Sequence, residues 1–468
     1  MAFNSIEYAL FFGLVFAIYW LLSHRSQNLF LLAASYFFYG SWDWRFLSLM
    51  LGSSAAAWWI ALALDRTNDE HVRKRLVTVS VIANLGLLAI FKYFGFFGDS
   101  LVLLLDSLGF SASWPLIEIV LPVGISFFTF QALGYTIDVY RREIAPARRF
   151  SDLALFVAYF PQLVAGPIER AHNLLPLVLS PRSFSLHEFG RGGFLILVGL
   201  FKKVVIADGL APSVDAIFRD GAHASGGDVW LGSICFAFQI YCDFSGYTDI
   251  ARGSSKMLGI DLIENFRSPF LSKDPQEFWR RWHISLSTWL RDYLYISLGG
   301  NRGGRFATYR NLMWTMILGG LWHGAAWNYV FWGAYQGALL VGHRALGELH
   351  RPSKAPWLTP IKIGGFFLLT CYGWMLFRAR SLAQCVDFTV AQLTDPFTIT
   401  LGLDRPPLAT ILALPVLVLI DWLQYAKVDS CFYRSWGPAR RGLLYAAIAW
   451  LLVMGLSNAP SEFVYFQF

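Results

Sequence analysis

Apolar runs long enough to cross a lipid bilayer recur along this chain from its first residues to its last. They restrict the fold more than any other feature, because a run of about 20 apolar residues is typical of a transmembrane helix. A helix also satisfies its own backbone hydrogen bonds, as hydrocarbon surroundings require. The predicted spans lie near residues 6–22, 28–41, 44–64, 76–97, 117–139, 152–166, 190–208, 228–246, 308–320, 325–345, 361–378, 408–424 and 442–457. The sequence therefore predicts an all-α polytopic membrane protein.

The composition agrees with this prediction. Of the 468 residues, 56% are hydrophobic and only 15% are charged, whereas soluble domains carry about 25% charged residues. No polar linker separates globular units, so we predict one membrane domain over residues 1–468. The net charge of +7 matches a Lys/Arg excess in cytoplasmic loops. Scattered basic residues do not indicate nucleic-acid binding, and the five cysteines show no CxxC pairing.

The distribution of positive charge predicts the orientation. The first residues, MAFNSIEY, lack a positive segment and no cleavage site follows, so the first apolar run is predicted to be a retained span. The loops near 41–43 and 98–115 carry no Lys or Arg. The loops after the first, third and fifth spans contain Arg25, Arg66, Arg73, Lys74, Arg75, Arg141, Arg142, Arg148 and Arg149. Positive loops stay cytoplasmic, so the N-terminus is predicted to lie outside.

Residues 247–310 are more polar but keep their aromatic side chains. Asp274-Pro275-Gln276-Glu277 is a strong helix-start signal, with an N-cap Asp, a Pro at the first helical position and a Glu at the third. The pattern predicts a helix that continues to about Ile296. One stripe of this helix comprises Arg280, His283, Ser287 and Arg291. An aromatic and basic helix lying in the membrane interface explains the arginines, but it explains the histidine less well.

His323 lies within the apolar segment GGLWHGAAWNYVFWG, residues 319–333. Residues 311–345 are too many for one straight span and few for two, and glycines surround the histidine. Glycine permits helices to break or approach closely, so His323 is predicted at a break or tight crossing at membrane depth. A core histidine bonded to a carbonyl is the structural alternative. Ionisable groups inside membranes are costly and usually functional, and a histidine titrates near neutrality, as suits a general base.

Other kinds of catalytic or binding site have little support. The sequence contains no HExxH and no compact Cys/His cluster, so no metal site is predicted. The serines near His283 do not lie in GxSxG. No Walker loop or GxGxxG is present.

Five segments resemble the membrane-bound O-acyltransferase family, in particular its bacterial branch of alginate O-acetyltransferases and the related teichoic-acid D-alanyl transferases. Together they occupy most of residues 91–337, and the last two are long and specific. The segments are LPVGISFFTFQALGYTIDVYR (121–141), FVAYFPQLVAGPIER (156–170), FAFQIYCDFSGYTDIARGSSKMLGI (236–260), ENFRSPF with FWRRWHISLSTWLRDYLYISLGGNR (264–302) and GGLWHGAAWNYVFWGAYQG (319–337). Residues 350–468 carry no recognised motif.

The resemblance implies a ring of about 11–13 transmembrane helices around a thinned centre with a funnel, in the inner membrane of a bacterium. It implies that His323 is the catalytic histidine and that His283 fills the second polar position. Transfer from a thioester to a hydroxyl needs a base and oxyanion donors. Aromatic rings beside the base would exclude water, and arginines would attract an anionic donor. The predicted substrate-binding residues are Arg280, Ser287, Arg291, Trp322, Trp327 and Asn328.

The predicted donor is acetyl-CoA or a carrier-protein thioester, with no tightly bound cofactor. Because the assignable outer loops are short, we expect acyl groups to pass to a separate extracytoplasmic acyltransferase that works with polysaccharide machinery, an arrangement that the resemblance also implies. Direct transfer of D-alanyl or another acyl group from a carrier protein to a cell-wall polymer is the alternative. A proton-coupled transporter has less support, because no internal repeat is evident and only Asp243 and Asp249 add carboxylates to the spans. A secretion scaffold is the third alternative.

Overall fold

The computed structural model describes residues 1–111, 113–114, 120–163, 166–220, 224–349, 357–400, 406–427, 432–456, 461 and 463–464. Within these ranges the regular secondary structure is helical and no strand occurs. The all-α prediction is therefore confirmed. The chain divides into two compact units, residues 1–192 with 254–263 and residues 193–253 with 264–468. A single membrane domain, like the ring of helices, stays a prediction.

Four helical stretches in the described part of the chain have the length and apolar character to cross a membrane. They are His24–Asp65, Glu70–Ser107, Leu358–Arg378 and Leu408–Lys427. All four overlap predicted spans. His24–Asp65 has 42 residues and contains the two predicted spans 28–41 and 44–64, and Glu70–Ser107 has 38 residues and exceeds the predicted span 76–97 at both ends. The chain is thus a multi-pass membrane protein, and the total number of spans stays a prediction.

The first unit contains helices that begin at short polar signals. Ser5 accepts a hydrogen bond from the Tyr8 backbone N–H, and Asp69 accepts from the backbone N–H groups of His71 and Val72; both are ordinary N-caps. Its helices are α1 Ile6–Tyr19, α2 His24–Asp43, α3 Leu47–Asp65, α4 Glu70–Leu88, α5 Phe94–Ser107, α6 Ile125–Tyr140, α7 Phe150–Ala158, α8 Phe160–Leu163, α9 Ala171–Leu179 and the first half of α10 Leu186–Leu200.

Arg73 joins two helix ends within this unit. Its buried guanidinium donates to the Thr67 carbonyl just after α3, at 3.2 Å, and to the Tyr140 carbonyl at the end of α6, at 2.7 Å. Arg142 also donates to the Asn68 side chain at 3.0 Å. The loops that follow the third and fifth predicted spans therefore lie together, as the positive-charge argument requires. Which side of the membrane they occupy stays a prediction.

The second unit contains the residues singled out as candidate site residues. The α-helices of this unit are the second half of α10, α11 Asp208–Asp220, most of α12 Gly226–Met257, α13 Pro275–Trp279, α14 Ile284–Trp289, α15 Gly304–His323, α16 Trp327–Leu349, α17 Leu358–Arg378, α18 Leu382–Thr394, α19 Leu408–Lys427 and α20 Pro438–Gly455. Helices α15 and α16 approach closely through glycine: a Cβ on Gly320 would lie 2.2 Å from the Tyr329 carbonyl oxygen, and one on Gly333 would lie 2.4 Å from the Met316 carbonyl oxygen.

Two consecutive lysines form buried ion pairs in the second unit. A π-helical segment, Phe201–Ala207, carries both of them. Lys202 Nζ lies 2.8 Å from Asp249, and Lys203 Nζ lies 2.8 Å from Asp208 and 2.7 Å from Asp243. Buried charges need such partners. The two carboxylates that the transporter hypothesis would use thus have structural partners.

Candidate active site

His323 ends helix α15. The next residue, Gly324, is extended (φ −156°, ψ 150°), and α16 begins at Trp327. A Cβ on Gly324 would lie 2.1 Å from a ring carbon of Tyr329, so the chain can pass this ring only with glycine at the position. The predicted break at His323 is confirmed, and the side chain is buried, with 5% exposed.

Three aromatic rings surround the His323 imidazole, and we call Trp322, Trp332 and Phe377 the aromatic wall. Their ring centroids lie 5.1, 5.3 and 5.5 Å from that of His323, at interplanar angles of 75°, 88° and 79°. Such edge-to-face arrangements are favourable for aromatic rings. Each ring of the wall is also buried, so the imidazole lies in apolar surroundings that disfavour water.

The prediction of one helix from Pro275 to Ile296 is wrong. The start is as predicted, because Asp274 accepts from the Glu277 backbone N–H, but α13 ends at Trp279 and α14 begins only at Ile284. The Ile284 N–H donates to the Asn265 carbonyl at 2.9 Å rather than to a residue one turn earlier. His283 between them is left-handed (φ +43°, ψ 54°). A distant segment of chain therefore interrupts the helix.

The prediction that four side chains form one stripe on a single helix is therefore also wrong. His283 is fully buried, whereas Arg280 is exposed. Ser287 donates its hydroxyl to the Trp282 carbonyl at 3.0 Å, and Arg291 pairs with Asp292 at 2.6 Å with its side chain 62% exposed. The four side chains do not share one face, and their roles in binding a substrate stay predictions.

Asn265 holds the His283 ring. The Asn265 Oδ1 accepts from the Ser285 backbone N–H at 3.1 Å and lies 3.2 Å from His283 Nδ1. A backbone N–H can only donate, so the atom facing it is the amide oxygen and His283 Nδ1 must carry the proton. Burial, and then the neighbouring His323, hold the pKa of His283 well below its usual value. With the proton on Nδ1, the neutral form of His283 has its lone pair on Nε2.

The Trp322 ring lies near both histidines. Its ring centroid is 5.1 Å from that of His323 and 6.3 Å from that of His283. The structure thus brings together His323, Trp322 and His283, although His283 lies 40 residues before His323 in the sequence. Two buried imidazoles beside one indole form a site that could take up and release a proton in apolar surroundings.

Two further predicted site residues have different environments. The Trp327 side chain is 51% exposed. Asn328 is buried, and its side-chain amide donates to the carbonyls of Phe377 at 3.3 Å and Ala379 at 2.8 Å. Asn328 therefore secures the end of α17, which carries Phe377 of the aromatic wall. A direct contact of either side chain with substrate stays a prediction.

The structure also shows site residues that the sequence did not single out. Asn265 lies in a quoted segment, but nothing in its local pattern marks it. Phe377 comes from the region without a motif. Phe463 also reaches the site, since its ring lies 5.8 Å from Phe244, whose ring lies 4.6 Å from His283. Among the described residues, no group of three or more His, Cys, Asp or Glu side chains is arranged to hold a metal ion.

Replacing Asn265 with Ala is expected to lower the acyl transfer predicted from the sequence by about 10- to 100-fold. The His283 ring would lose a hydrogen bond that orients it, and a buried hydrogen bond is worth about 1–3 kcal/mol. Initial rates on purified, folded protein measure the effect. Thr288→Val is the matched control, because its hydroxyl donates to the Ile284 carbonyl on α14 away from the imidazole. Equal rates for the two variants would contradict an orienting role for Asn265.

Comparison with known proteins gives a family match and several relatives. The model of the family described as "MBOAT, membrane-bound O-acyltransferase family" matches residues 148–386. The "Probable alginate O-acetylase AlgI" of Azotobacter vinelandii is 44% identical over 385 residues, which is 82% of this chain and 76% of that protein.

Two other relatives extend the comparison. The peptidoglycan O-acetyltransferase of Helicobacter pylori is 35% identical over 405 residues, 79% of this chain and 75% of that protein. The teichoic acid D-alanyltransferase of Bacillus subtilis is 27% identical over 288 residues, 55% of this chain and 69% of that protein. Of these three relatives, the O-acetylase has the highest identity and the D-alanyltransferase the lowest.

Proposed function

Because this chain belongs to the membrane-bound O-acyltransferase family, we propose that it takes an acetyl group from a cytoplasmic thioester and moves it across the membrane for O-acetylation of an extracytoplasmic polysaccharide. Membership of this family makes the protein an O-acyltransferase. The observation that carries the finer proposal is the pair of buried histidines beside Trp322. The donor, the acceptor and the route of the acyl group are parts of this proposal.

His323 acts as the general base. As an acceptor hydroxyl attacks the thioester carbonyl, the imidazole takes the hydroxyl proton, the C–O bond forms and the C–S bond breaks. The same proton then passes to the departing sulfur, which leaves as a thiol, so atoms and charge balance. A base in apolar surroundings retains its lone pair, and the buried aromatic wall keeps competing water from the thioester.

His283, whose ring centroid lies 6.3 Å from that of Trp322, supports the reaction. Its Nδ1–H is fixed on Asn265, so Nε2 is held in one orientation as a hydrogen-bond acceptor. An acceptor in this place would orient an attacking hydroxyl, and in its protonated form the ring would donate to a developing negative charge. Its full burial disfavours the charged form at rest.

The exposed arginines fit the donor side. Arg280 is exposed, and Arg291 is 62% exposed beside Asp292. Phosphate groups of acetyl-CoA, or of the phosphopantetheine arm of a carrier protein, would be attracted to such cations. Of the two, Arg280 is the stronger candidate, since Asp292 already neutralises part of the charge of Arg291.

Acetyl is favoured over D-alanyl by the extent of the similarity. The alginate O-acetylase matches over 82% of this chain at 44% identity, and the teichoic acid D-alanyltransferase matches over 55% at 27%. The alternative is direct transfer of a D-alanyl or other acyl group from a carrier protein to a cell-wall polymer.

We propose relay of the acyl group to a separate extracytoplasmic acyltransferase. The experiment reconstitutes the full chain in vesicles with labelled acetyl-CoA inside and polysaccharide outside. Label is expected to enter the polymer only when the partner acyltransferase is added outside. Efficient labelling without the partner would exclude relay and support direct transfer. No labelling from acetyl-CoA in either arrangement, together with labelling from a D-alanyl carrier-protein thioester, would favour the alternative donor.

A further inference from the structure

The aromatic wall around His323 is backed by a second layer of buried rings. The Trp374 centroid lies 6.0 Å from that of Trp332 and 5.6 Å from that of Phe377. The Trp282 ring lies 4.7 Å behind Trp374. Trp282, Trp332, Trp374 and Phe377 all have 2% or less of their surface exposed. Rings packed in this way cannot move aside without displacing their neighbours.

The backbone that carries the wall is also fixed. Asn328 donates to the carbonyls of Phe377 and Ala379, which ties the end of α17 to the start of α16. On the other side, Gly320 and Gly333 bring α15 and α16 into backbone contact. The distance between His323 and Phe377 is therefore set by two constraints that do not depend on the ring contacts themselves.

Reaction at His323 places a small acyl group against this wall. The base must lie within hydrogen-bond reach of the attacking hydroxyl, and the hydroxyl must lie close to the thioester carbonyl. The acyl carbon chain beyond the carbonyl therefore lies close to the imidazole. The rings of the aromatic wall, whose centroids lie 5.1–5.5 Å from that of His323, restrict the length of this acyl chain.

We propose that Trp332, Phe377 and, behind them, Trp374 limit the acyl group that reacts at His323 to about two carbons. This inference rests on the acyl transfer proposed above and adds the residues that select the acyl group. One methylene in a hydrophobic pocket changes kcat/KM by about 10- to 200-fold. Trp332, Phe377 and Trp374 therefore select the acetyl group and exclude butyryl and longer acyl groups.

The test compares acetyl-CoA with butyryl-CoA as donors for the full chain in vesicles, with whatever partner transfer requires. The measured quantity is the ratio of the two kcat/KM values, which does not depend on the fraction of active protein. The wild type is expected to prefer acetyl by at least about 100-fold, as two methylenes require. Phe377→Ala should lower this ratio by about tenfold or more, mainly by raising the rate with butyryl-CoA.

Two further variants keep the test decisive. Trp332→Phe replaces a large ring with a smaller one and is expected to lower the ratio less than Phe377→Ala. Because it disturbs the packing less, it still tests the proposal if Phe377→Ala fails to fold. Phe388→Ala is the control, since Phe388 is equally buried on α18 but packs on Phe218 at 5.6 Å. Unchanged ratios in Phe377→Ala and Trp332→Phe, a wild type that uses both donors equally, or an equal change in the control would each overturn the proposal. Failure of the wild type to transfer acetyl at all would instead refute the proposed function.

Discussion

His323→Ala is expected to abolish acyl transfer while leaving the protein folded in the membrane. Removal of a general base typically costs about 100- to 10,000-fold in rate. Transfer of labelled acetyl in vesicles measures the activity, and elution of the detergent-solubilised protein as a single species verifies the fold.

His343→Ala is the matched control for this variant. His343 lies on α16 of the same helical pair, with its side chain 43% exposed and 3.8 Å from Asp274. Its loss should leave the rate within about twofold of the wild type, because a surface ion pair contributes little. Comparable rates for the His323 and His343 variants would refute the role of His323 as base.

Lys203→Met is expected to destabilise the protein more than any other single substitution considered above. The ammonium lies within 2.8 Å of both Asp208 and Asp243, donates to the Ser461 carbonyl at 2.9 Å, and is fully buried. Its removal would leave two carboxylates without their cation, and breaking a buried ion pair costs about 3–5 kcal/mol. The temperature of unfolding in detergent, with the yield of folded protein, measures the loss.

A double variant separates charge from packing at this cluster. Lys203→Met with Asp243→Asn removes one of the two carboxylates that the single variant leaves, so it should unfold at a higher temperature than Lys203→Met alone. Such a non-additive result is typical of groups in one network. Lys427→Met is the control, because Lys427 is exposed and donates only to the Ser435 hydroxyl at 3.2 Å among the described hydrogen bonds. An equal effect of the Lys203 and Lys427 variants would contradict the prediction.

Part of the active site could be predicted from local pattern alone. The glycines on both sides of His323 predicted a break in the helix, and α15 does end at His323. The Asp274-Pro275 signal predicted the start of α13, and Asp274 does cap it. These features depend on contacts among residues within about one helical turn, and such contacts leave a periodic or positional trace in the sequence.

The environment of His283 could not be predicted in the same way. The spacing of Arg280, His283 and Arg291 assumed an unbroken helix, but a hydrogen bond from Ile284 to Asn265, 19 residues earlier, interrupts it. Leaving buried backbone groups unpaired is energetically costly, and here a distant segment of the chain supplies the hydrogen-bond partner. Helical spacing takes no account of such a partner.

The sequence by itself determined the class of protein, its all-α character and the histidine at a helix end, because composition and short-range periodicity carry that information. The tertiary structure alone decided which groups surround that histidine. Phe377 lies 54 residues after His323 and Asn265 lies 18 before His283, and both reach the histidines through packing between helices. Long-range packing selects partners by shape and hydrogen bonding in three dimensions, and these properties leave no periodic signal in a single sequence.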